Sequence, residues 1–288
     1  MTAANRVNLA SALYFIATPI GTARDITLRA LDILASADVL AAEDTRTLRR
    51  LMDIHGIALE GRPMVAYHDH NGASARPKLL KALAEGKSVA YASEAGTPLV
   101  ADPGYQLGRS VTEAGFMVTA APGPSAVLTA LSVSGLATDA FFFAGFAPTS
   151  KGQRQSFLRG LAEVPGTLVF YESPKRVHKM LADLLDVYGE TRDAVVAREL
   201  TKKFEEVRRG TISELVAELD GVTLKGEVVV LVARGEASSF DESDIDIMLK
   251  DALGTVSLKD AVAQVVATTG QPRRQVYQAA LRLEKEGK

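Results

Sequence analysis

The sequence contains no cysteine among its 288 residues. That absence excludes disulfides, thiolate metal sites and cysteine nucleophiles, and it fits a reducing cytoplasm. A strong net charge is also lacking: the formal value is −2 at pH 7, so any nucleic-acid site has to be a local basic patch. The remaining composition, with 47% hydrophobic and 24% charged residues, is that of a globular protein long enough for two domains.

Signals for secretion and for membrane insertion are missing as well. The first eleven residues contain one arginine and no long apolar core, so we expect no secretory signal. Residues 114–138 carry no charge, but Pro122-Gly-Pro124 interrupts that run, which argues against a transmembrane helix. We therefore expect a cytoplasmic protein without a membrane partner.

Two common nucleotide-binding motifs are absent. The loop Thr18-Pro-Ile-Gly21, after the first predicted strand, lacks the G-x-G-x-x-G pattern of dinucleotide-binding folds. Gly86-Lys-Ser88 mimics the end of a P-loop, but it precedes a strand and Lys81 stands where the motif needs glycine. Neither type of phosphate site is therefore expected.

Short apolar runs alternate with amphipathic helical patterns through the first 120 residues. This alternation predicts a mainly parallel sheet covered by helices. We expect strands at 13–17, 39–42, 64–68, 88–92 and 116–120, and helices at 45–54, 76–84 and 105–114, with Asp25 capping an earlier helix. The second half predicts another α/β unit with a mixed sheet, whose strands lie at 141–145, 167–171, 194–197, 206–209 and 227–233. A polar linker at 235–244 and a small helical unit end the chain.

Four loops at predicted strand ends are rich in proline and glycine: residues 18–21, 94–98, 102–104 and 121–125. In open α/β sheets, ligands bind beyond the carboxyl ends of the strands, where glycine lets the backbone approach closely. Any one of these loops alone is better explained as a tight connection between a strand and a helix. Four of them together favour a site for a small polar ligand.

The same loops belong to an ordered set of motifs. These are Ile16-Ala-Thr-Pro-Ile-Gly21, Asp25-Ile-Thr-Leu-Arg-Ala30, Ala41-Ala-Glu-Asp-Thr-Arg46, His68-Asp-His-Asn71, Ala95-Gly-Thr-Pro-Leu-Val-Ala-Asp-Pro-Gly104, Pro122-Gly-Pro-Ser125, Phe170-Tyr-Glu-Ser-Pro174, Ala197-Arg-Glu-Leu-Thr-Lys202 and Lys225-Gly-Glu227. Over about residues 11–235 the set resembles the tetrapyrrole-methylase superfamily, and specifically its ribosomal-RNA branch. Two departures stand out: Glu94 where the family usually has aspartate, and Thr22-Ala23 where Asn-Leu is usual.

The resemblance implies a fold and an activity. The fold would have two α/β domains at 11–123 and 124–235, with S-adenosylmethionine (SAM) in the cleft between them. A linker and a small helical domain that resembles a helix-turn-helix would follow at 236–288. The implied enzyme is a homodimer that methylates the ribose 2′-oxygen of a cytidine in the decoding region of small-subunit rRNA. Its partner would be the small ribosomal subunit, with no metal.

The resemblance also implies the cofactor contacts. The methionine end of SAM should meet the turns at 94–98 and 122–125, and the adenosine should lie against backbone near 198–201 and 226–227. The residues carried over in this way are Pro19, Gly21, Glu94, Ala95, Gly96, Thr97, Pro98, Pro122, Gly123, Pro124, Ser125, Tyr171, Arg198, Glu199, Leu200, Thr201, Gly226 and Glu227.

Two clusters offer catalytic candidates. A ribose hydroxyl is a poor nucleophile, so a base near the oxygen helps. His68 and His70 face the same way if the chain is extended, and an imidazole is a suitable proton acceptor, although RNA hydrogen bonding or a structural role fits them equally. A metal is not expected there, because no third ligand is evident. Glu43 and Asp44 form the second cluster, in which Asp44 also fits as the N-cap of the helix from Thr45.

Basic residues suggest where RNA would run. Together they would form a stripe that grips phosphates without reading sequence, while each alone is also explained as solvated surface. The residues are Arg46, Lys151, Arg154, Lys175, Arg176 and Lys202. A helix-turn-helix pattern at 258–281 adds Arg273 and Arg274, either as an RNA-docking element or as part of a plain helical appendage.

Two alternatives stay open. One is a tetrapyrrole (precorrin-like) C-methyltransferase of the same superfamily. Two features argue against it. The first loop of those enzymes resembles Gly-x-Gly-Pro-Gly where this chain has Thr18-Pro-Ile-Gly21, and this chain adds the basic tail. The other is a SAM-binding or RNA-binding module without catalysis, which the clustered His68, His70, Glu43 and Asp44 disfavour.

Overall fold

The computed structural model describes residues 4–68, 70–102, 104–235, 242–269 and 271–286. The chain forms two compact units, one ending at Arg234 and the other beginning at Gly235. The first unit contains two five-stranded sheets. In the described ranges, no helix has the length and apolar character needed to cross a membrane.

The first sheet is parallel throughout, as the alternating pattern predicted. Its elements are β1 (Ala12–Ile16), α1 (Leu28–Ser36), β2 (Val39–Ala42), α2 (Thr45–Ile54), β3 (Met64–Ala66), α3 (Gly72–Ala84), β4 (Val89–Ala92), α4 (Tyr105–Glu113) and β5 (Met117–Ala121). The next helix, α5 (Ala126–Ser134), packs against the second sheet. The strand order is β3-β2-β4-β1-β5. Because helices cover both faces, β1, β2 and β4 are buried along their whole length. Because all five strands are parallel, their carboxyl ends lie at one edge of the sheet.

The two predicted helix caps in this part of the chain have opposite outcomes. Asp44 is the N-cap of α2, since its carboxylate accepts a hydrogen bond from the Arg46 backbone N–H at 2.8 Å. The prediction that Asp25 caps α1 is wrong. Thr27 takes that role by accepting the Ala30 N–H at 3.1 Å, whereas the N–H of Asp25 closes an earlier turn.

The second sheet is mixed, also as predicted. Its elements are β6 (Phe141–Phe146), α6 (Lys151–Gly160), β7 (Thr167–Glu172), α7 (Val177–Tyr188), β8 (Asp193–Arg198), β9 (Glu206–Thr211), α8 (Ile212–Leu219) and β10 (Val228–Val232). The order is β6-β7-β10-β8-β9, in which only β6 and β7 pair in parallel. Apolar clusters pack on both faces of this sheet.

The second compact unit is helical, which confirms the predicted C-terminal unit. It consists of α9 (Glu242–Leu253), α10 (Leu258–Thr269) and α11 (Arg273–Glu286). A small buried cluster holds the three helices together, with Ile245 and Leu249 from α9, Val262 from α10 and Val276 from α11. Most of the predicted linker (residues 236–241) and the turn glycine Gly270 lie outside the described residues. The domain boundaries at 123 and 235 stay a prediction.

Candidate active site

A cleft of about 640 Å³ opens at the carboxyl-end edge of the first sheet, within the first compact unit. Loops that follow β1, β2, β4 and β5 form one wall. The ends of β7 and β8 and the start of β10 form the facing wall. The volume lies within the usual range of small-molecule sites, roughly 300–1,000 Å³. The sequence prediction that ligands would bind at this edge therefore has a cavity to match it.

The loop after β4 is fixed to the loop after β1. Gly96 and Thr18 form a short antiparallel bridge, in which each backbone N–H donates to the other carbonyl at 3.0 Å. Thr18 is buried, and its hydroxyl donates to the Ser93 carbonyl at 3.1 Å. Gly96 has a φ of +80°, a conformation that favours glycine. Thr97 extends the connection, since its hydroxyl donates to the Pro124 carbonyl at 2.9 Å. We call residues 94–98 the ledge.

Asp102 organises the chain beyond the ledge. Its carboxylate accepts the Tyr91 hydroxyl at 2.9 Å and the Gly104 N–H at 2.8 Å. Burial, followed by the negative charge of Asp102, raises the pKa of Tyr91 well above its ordinary value of 10.0. Tyr91 therefore stays protonated and keeps donating. The middle residue of the predicted turn at 102–104, Pro103, lies outside the described residues.

Of residues 99–101, which follow the ledge, only one anchors it in the core. Leu99 is 41% exposed and Ala101 is exposed, and only Val100 packs against a buried cluster. Leu99 and Ala101 instead adopt positive φ angles of 71° and 56°. Such angles cost of order 1–2 kcal/mol per non-glycine residue and persist where the surroundings impose them.

Glu199 and Lys202 shape the opposite rim. The Glu199 carboxylate accepts hydrogen bonds from Lys202 Nζ and from the Glu227 N–H, both at 2.9 Å, and Lys202 Nζ also reaches the Glu227 carboxylate at 2.8 Å. Burial opposes ionisation of Glu199, but these hydrogen bonds outweigh it and lower the pKa of Glu199. Gly226, with a φ of +88°, lies directly against the Glu199 side chain, where a Cβ would clash. Lys202 is thus already held between two carboxylates, and its predicted contact with phosphate stays a prediction.

Gly21 lies outside the cleft lining and allows a close contact between two loops. A Cβ at this position would come within 2.5 Å of the Thr201 hydroxyl and 2.6 Å of Lys202 Cγ. Beside it, the Thr22 hydroxyl donates to the Thr201 carbonyl at 2.6 Å. The structure therefore indicates that Gly21 lets the loop after β1 pack onto residues 200–202.

The electrostatics of the cleft are acidic. Among the described residues that line it, five carry carboxylates and none carries a lysine, arginine or histidine side chain; the five are Glu43, Glu94, Asp102, Glu172 and Glu227. Glu172 is balanced by Arg176, whose guanidinium lies 2.6 Å away. Such a lining favours a ligand with positive charge. No group of three or more histidine, aspartate and glutamate side chains in the described ranges is arranged to hold a metal ion.

An aromatic wall completes the cleft. The rings of Phe146 and Tyr171 meet edge to face with centroids 5.7 Å apart, and Phe143 also packs edge to face on Tyr171, with centroids 4.8 Å apart. Burial raises the pKa of Tyr171. Phe146 is 59% exposed although it borders a cavity, so a flat ligand has an apolar surface to cover.

The predicted catalytic residues divide into two groups. Glu43 lines the cleft, whereas His68 and His70 follow β3, the edge strand beside β2, and are not part of the described lining. The two imidazole rings lie 6.0 Å apart, edge to face. Asp44 is occupied as a cap and by the Arg46 side chain at 2.8 Å. That hydrogen bond lowers the pKa of Asp44 to about 2, which makes it a weak base.

The predicted RNA stripe does not form as expected, because Arg154 is buried. Its guanidinium is 4% exposed and pairs with the buried carboxylate of Asp183 at 2.5 Å. Arg154 therefore connects α6 to α7 and is not accessible to phosphate, so this part of the prediction is wrong. Lys151 is exposed and lies 3.4 Å from Asp186, a weak surface pair.

The remaining basic candidates are accessible to different degrees. Arg176 is 23% exposed and bound to Glu172, so its guanidinium is not free either. Lys175 is exposed, and so are Arg273 and Arg274 at the start of α11 in the second unit. Their RNA contacts stay predictions.

The structure brings half of the predicted cofactor residues into one lining. Those present are Glu94, Ala95, Gly96, Thr97, Ser125, Tyr171, Leu200, Gly226 and Glu227. Those outside the described lining are Pro19, Gly21, Pro98, Pro122, Gly123, Pro124, Arg198, Glu199 and Thr201. Sequence reasoning missed Ile20, Val100 and Phe146, each of which directly follows or lies within a quoted motif or a predicted strand.

The fold and the cleft match a known class. A model of the tetrapyrrole (corrin/porphyrin) methylases matches residues 12–216, and a model of the RsmI C-terminal HTH domain matches residues 240–284. A solved uroporphyrin-III C-methyltransferase from Thermus thermophilus, complexed with S-adenyl homocysteine, has a TM-score of 0.54 and 20% sequence identity. The match covers 77% of this chain and 97% of that one, and it shows the shared fold.

Two curated relatives are similar along nearly their whole length. The ribosomal RNA small subunit methyltransferase I of Mesorhizobium japonicum is 46% identical, with 96% of this chain and 93% of the relative covered. The protein of that name from Xylella fastidiosa is 42% identical, with 92% and 97% covered. The chain therefore belongs to the tetrapyrrole methylase family, in its ribosomal RNA small subunit methyltransferase I group. The predicted resemblance and the assignment as a methyltransferase are confirmed.

Proposed function

We propose that this chain uses SAM to methylate the ribose 2′-oxygen of a cytidine in the decoding region of small-subunit rRNA, in the cytoplasm. The observation that supports an RNA substrate is the 46% identity, over 96% of the chain, to a protein named for small-subunit rRNA methylation. The 2′-oxygen and the cytidine follow from the sequence resemblance. The small ribosomal subunit is the proposed partner.

SAM fits the cleft by size and by charge. A cavity of about 640 Å³ with five carboxylate residues in its lining suits a ligand that carries a sulfonium and an ammonium group. The solved relative by fold that is complexed with S-adenyl homocysteine supports the same class of ligand. When bound, SAM would supply a methyl carbon poised for in-line displacement.

Residues of both walls would hold the cofactor. The backbone of the ledge and of Ser125 would bind its amino-acid end, where Gly96 permits close approach. Leu200, Gly226 and the aromatic ring of Tyr171 would border the adenosine. Burying the methyl donor between these walls would keep water away from the reacting carbon.

The residues that serve the acceptor are Glu43 and the histidine pair. Glu43 lies in the cleft at the end of β2, where its carboxylate would orient the ribose. His68 follows the neighbouring strand β3, and an imidazole nitrogen is a suitable acceptor for the proton of the 2′-hydroxyl. Asp44 serves as the helix cap in this proposal, since its carboxylate already binds Arg46.

A homodimer is part of the proposal. Both sheets have an edge strand with exposed large apolar side chains, which a second copy would cover: Met117 on β5 is 51% exposed, and Phe141 and Phe142 on β6 are 45% and 43% exposed. Light scattering on the purified chain should give twice the monomer mass of 30.6 kDa. A monomer mass at micromolar concentration would contradict this part.

The central test is methyl transfer from labelled SAM to small ribosomal subunits from a strain that lacks the modification. We expect incorporation into 2′-O-methylcytidine. No incorporation, or a label on a base carbon or nitrogen, would overturn the proposal. A parallel reaction that offers a tetrapyrrole in place of subunits tests the alternative activity, for which the solved relative at 20% identity gives only the fold. Incorporation into the tetrapyrrole and not into subunits would favour that alternative.

A pair of variants tests the acceptor residues. Glu43→Gln and His68→Ala should each lower the turnover number by at least tenfold while SAM affinity changes little. For His68 the reason is that general-base catalysis is typically worth about 100-fold or more, and for Glu43 it is that a misplaced ribose loses its alignment with the methyl donor. Glu113→Gln, at an exposed position of α4, is the control. SAM binding with full turnover in both variants would contradict the assigned roles.

A further inference from the structure

A second depression, about 300 Å³ in volume, lies beside the cleft along α2. We call it the arginine groove. It is lined by Thr45, Arg46, Arg49, Arg50, Asp53 and Met64. Three of the six lining residues are arginines and one is acidic, so the groove is positively charged, in contrast to the cleft.

The spacing along α2 explains the groove. Arg46, Arg49 and Arg50 are separated by three and four positions, which places them on one face of the helix. The opposite face carries Leu48 and Met52, which are buried in the core of the first sheet. The arginines are therefore directed outward by the same packing that fixes the helix, and all three are exposed.

The three guanidiniums differ in their partners. Arg46 is held by both oxygens of Asp44, at 3.1 and 2.8 Å, with its side chain 90% exposed. Within the described part of the chain, neither Arg49 nor Arg50 forms an ion pair. Arg49 and Arg50 thus present two guanidiniums that no carboxylate of the described residues holds, in a groove with three arginines and one acidic residue, Asp53. An excess of accessible cationic donors is what an anion-binding site requires.

The groove begins where the cleft ends. Glu43 and Thr47 line the cleft, and Thr45 and Arg46 line the groove, so the first turn of α2 belongs to both. The negative charge of Glu94 on the ledge contributes, after that of Asp44, to the raised pKa of Arg46. The groove follows α2 from Arg46 to Asp53, a distance of about 10 Å along the helix axis and away from the cleft mouth.

We infer that the arginine groove binds the phosphates of the RNA strand whose ribose enters the cleft. This inference rests on the proposed function and names the surface that receives its substrate. A cleft lined with carboxylates repels a polyanion. The RNA phosphates next to the target ribose therefore need cationic side chains close by. Guanidiniums bind phosphate oxygens in a bidentate manner and read no sequence, which suits a positioning surface.

The test is RNA binding by the full-length Arg49→Gln/Arg50→Gln double variant, measured at several salt concentrations with small ribosomal subunits and with protein-free small-subunit rRNA. Loss of two phosphate contacts should reduce the slope of log K against log salt by about 1.4, at roughly 0.7 per contact on single-stranded RNA. We expect about tenfold weaker binding to both probes at low salt, a higher KM for subunits, and an unchanged affinity for SAM.

Two control variants separate this role from a general effect of charge or folding. Arg49→Lys/Arg50→Lys keeps the charges and should restore most of the affinity. Arg159→Gln removes an exposed arginine from α6 and should leave the salt slope unchanged. The thermal midpoint of the double glutamine variant should equal that of the parent chain, because both side chains are exposed.

Three outcomes would overturn the inference. One is a glutamine variant with the affinity and salt slope of the parent chain. Another is weaker binding to subunits with unchanged binding to protein-free rRNA, which would identify a ribosomal protein as the partner of the groove. The third is no RNA binding by the parent chain. RNA binding that depends on the groove, without methyl transfer, would instead refute the proposed function and leave the groove assignment standing.

Discussion

Substituting Gly96 by alanine tests whether the ledge geometry controls cofactor binding. Gly96 has a φ of +80°, and an added Cβ would lie 3.3 Å from Ile20 Cγ2. The left-handed conformation alone costs alanine about 1–2 kcal/mol in free energy of unfolding. The contact with Ile20 adds to this, because either the ledge or the Ile20 side chain has to move by a few tenths of an ångström.

The chain offers a matched control for the backbone term. Gly86 has a φ of +79°, and an added Cβ there would meet no atom within 4 Å. Gly86→Ala should therefore lose the same 1–2 kcal/mol, or about 2–8 °C in thermal midpoint, with no change at the cleft. The difference in free energy of unfolding between Gly96→Ala and Gly86→Ala then isolates the effect of the contact with Ile20.

The assay is SAM affinity by calorimetry together with urea denaturation of both variants. Moving the ledge by a few tenths of an ångström should weaken SAM binding about fivefold in Gly96→Ala, equivalent to roughly 1 kcal/mol, and leave it unchanged in Gly86→Ala. Equal SAM affinity in the two variants would refute the role of the ledge. Equal stability of Gly96→Ala and the parent chain would refute the backbone argument.

Three further outcomes follow from the described contacts. Arg154→Ala leaves a carboxylate buried without its partner and should lower the free energy of unfolding by about 3–5 kcal/mol in urea denaturation, whereas Arg159→Ala should change it by less than about 0.5 kcal/mol. The pKa of Asp44, about 2, lies below its ordinary value of 3.8, so its charged form stabilises the fold at higher pH and that contribution is lost as the pH falls through 2. Arg46→Gln should raise that pKa towards 3.8 in a carboxyl NMR titration, and an unchanged titration would contradict the assigned cause. Glu94→Asp should retain methyl transfer, because it keeps a carboxylate on the ledge and shortens the side chain by one methylene; complete inactivity would show a differently built site.

The parallel sheet was predictable because the sequence pattern that specifies each strand lies within a few consecutive residues. The strands β1, β2 and β4 are continuous apolar runs of the kind that a doubly covered sheet requires. The Asp44 cap was predictable for the same reason, since an acidic residue directly before a helical pattern accepts the amide two positions on. The prediction of Asp25 as the cap of α1 failed because Thr27, two residues later, occupies the N-cap position.

The burial of Arg154 could not be predicted from its neighbours in sequence. Its partner Asp183 lies 29 positions away on α7, so only the packing of two helices decides that the guanidinium is enclosed. The role of Gly21 is hidden in the same way, because the atoms that exclude a side chain there belong to Thr201 and Lys202. Local patterns predict which residue types meet at a strand end, but contacts between distant loops decide which of them face the cavity.

The end of β2 shows how the site separates two opposite charges over a few residues. The proposed cofactor is a cation and the proposed RNA substrate is a polyanion, yet their reacting atoms have to meet at one place. Glu43 lies on the side of the cleft, Asp44 caps α2 and holds Arg46, and Arg46 faces the groove. Because strand end, cap and first helical turn follow one another directly, the boundary between acidic cleft and basic groove is fixed by the backbone itself. The ribose of the substrate would have to lie at that boundary, next to Glu43 and within reach of the loop that carries His68.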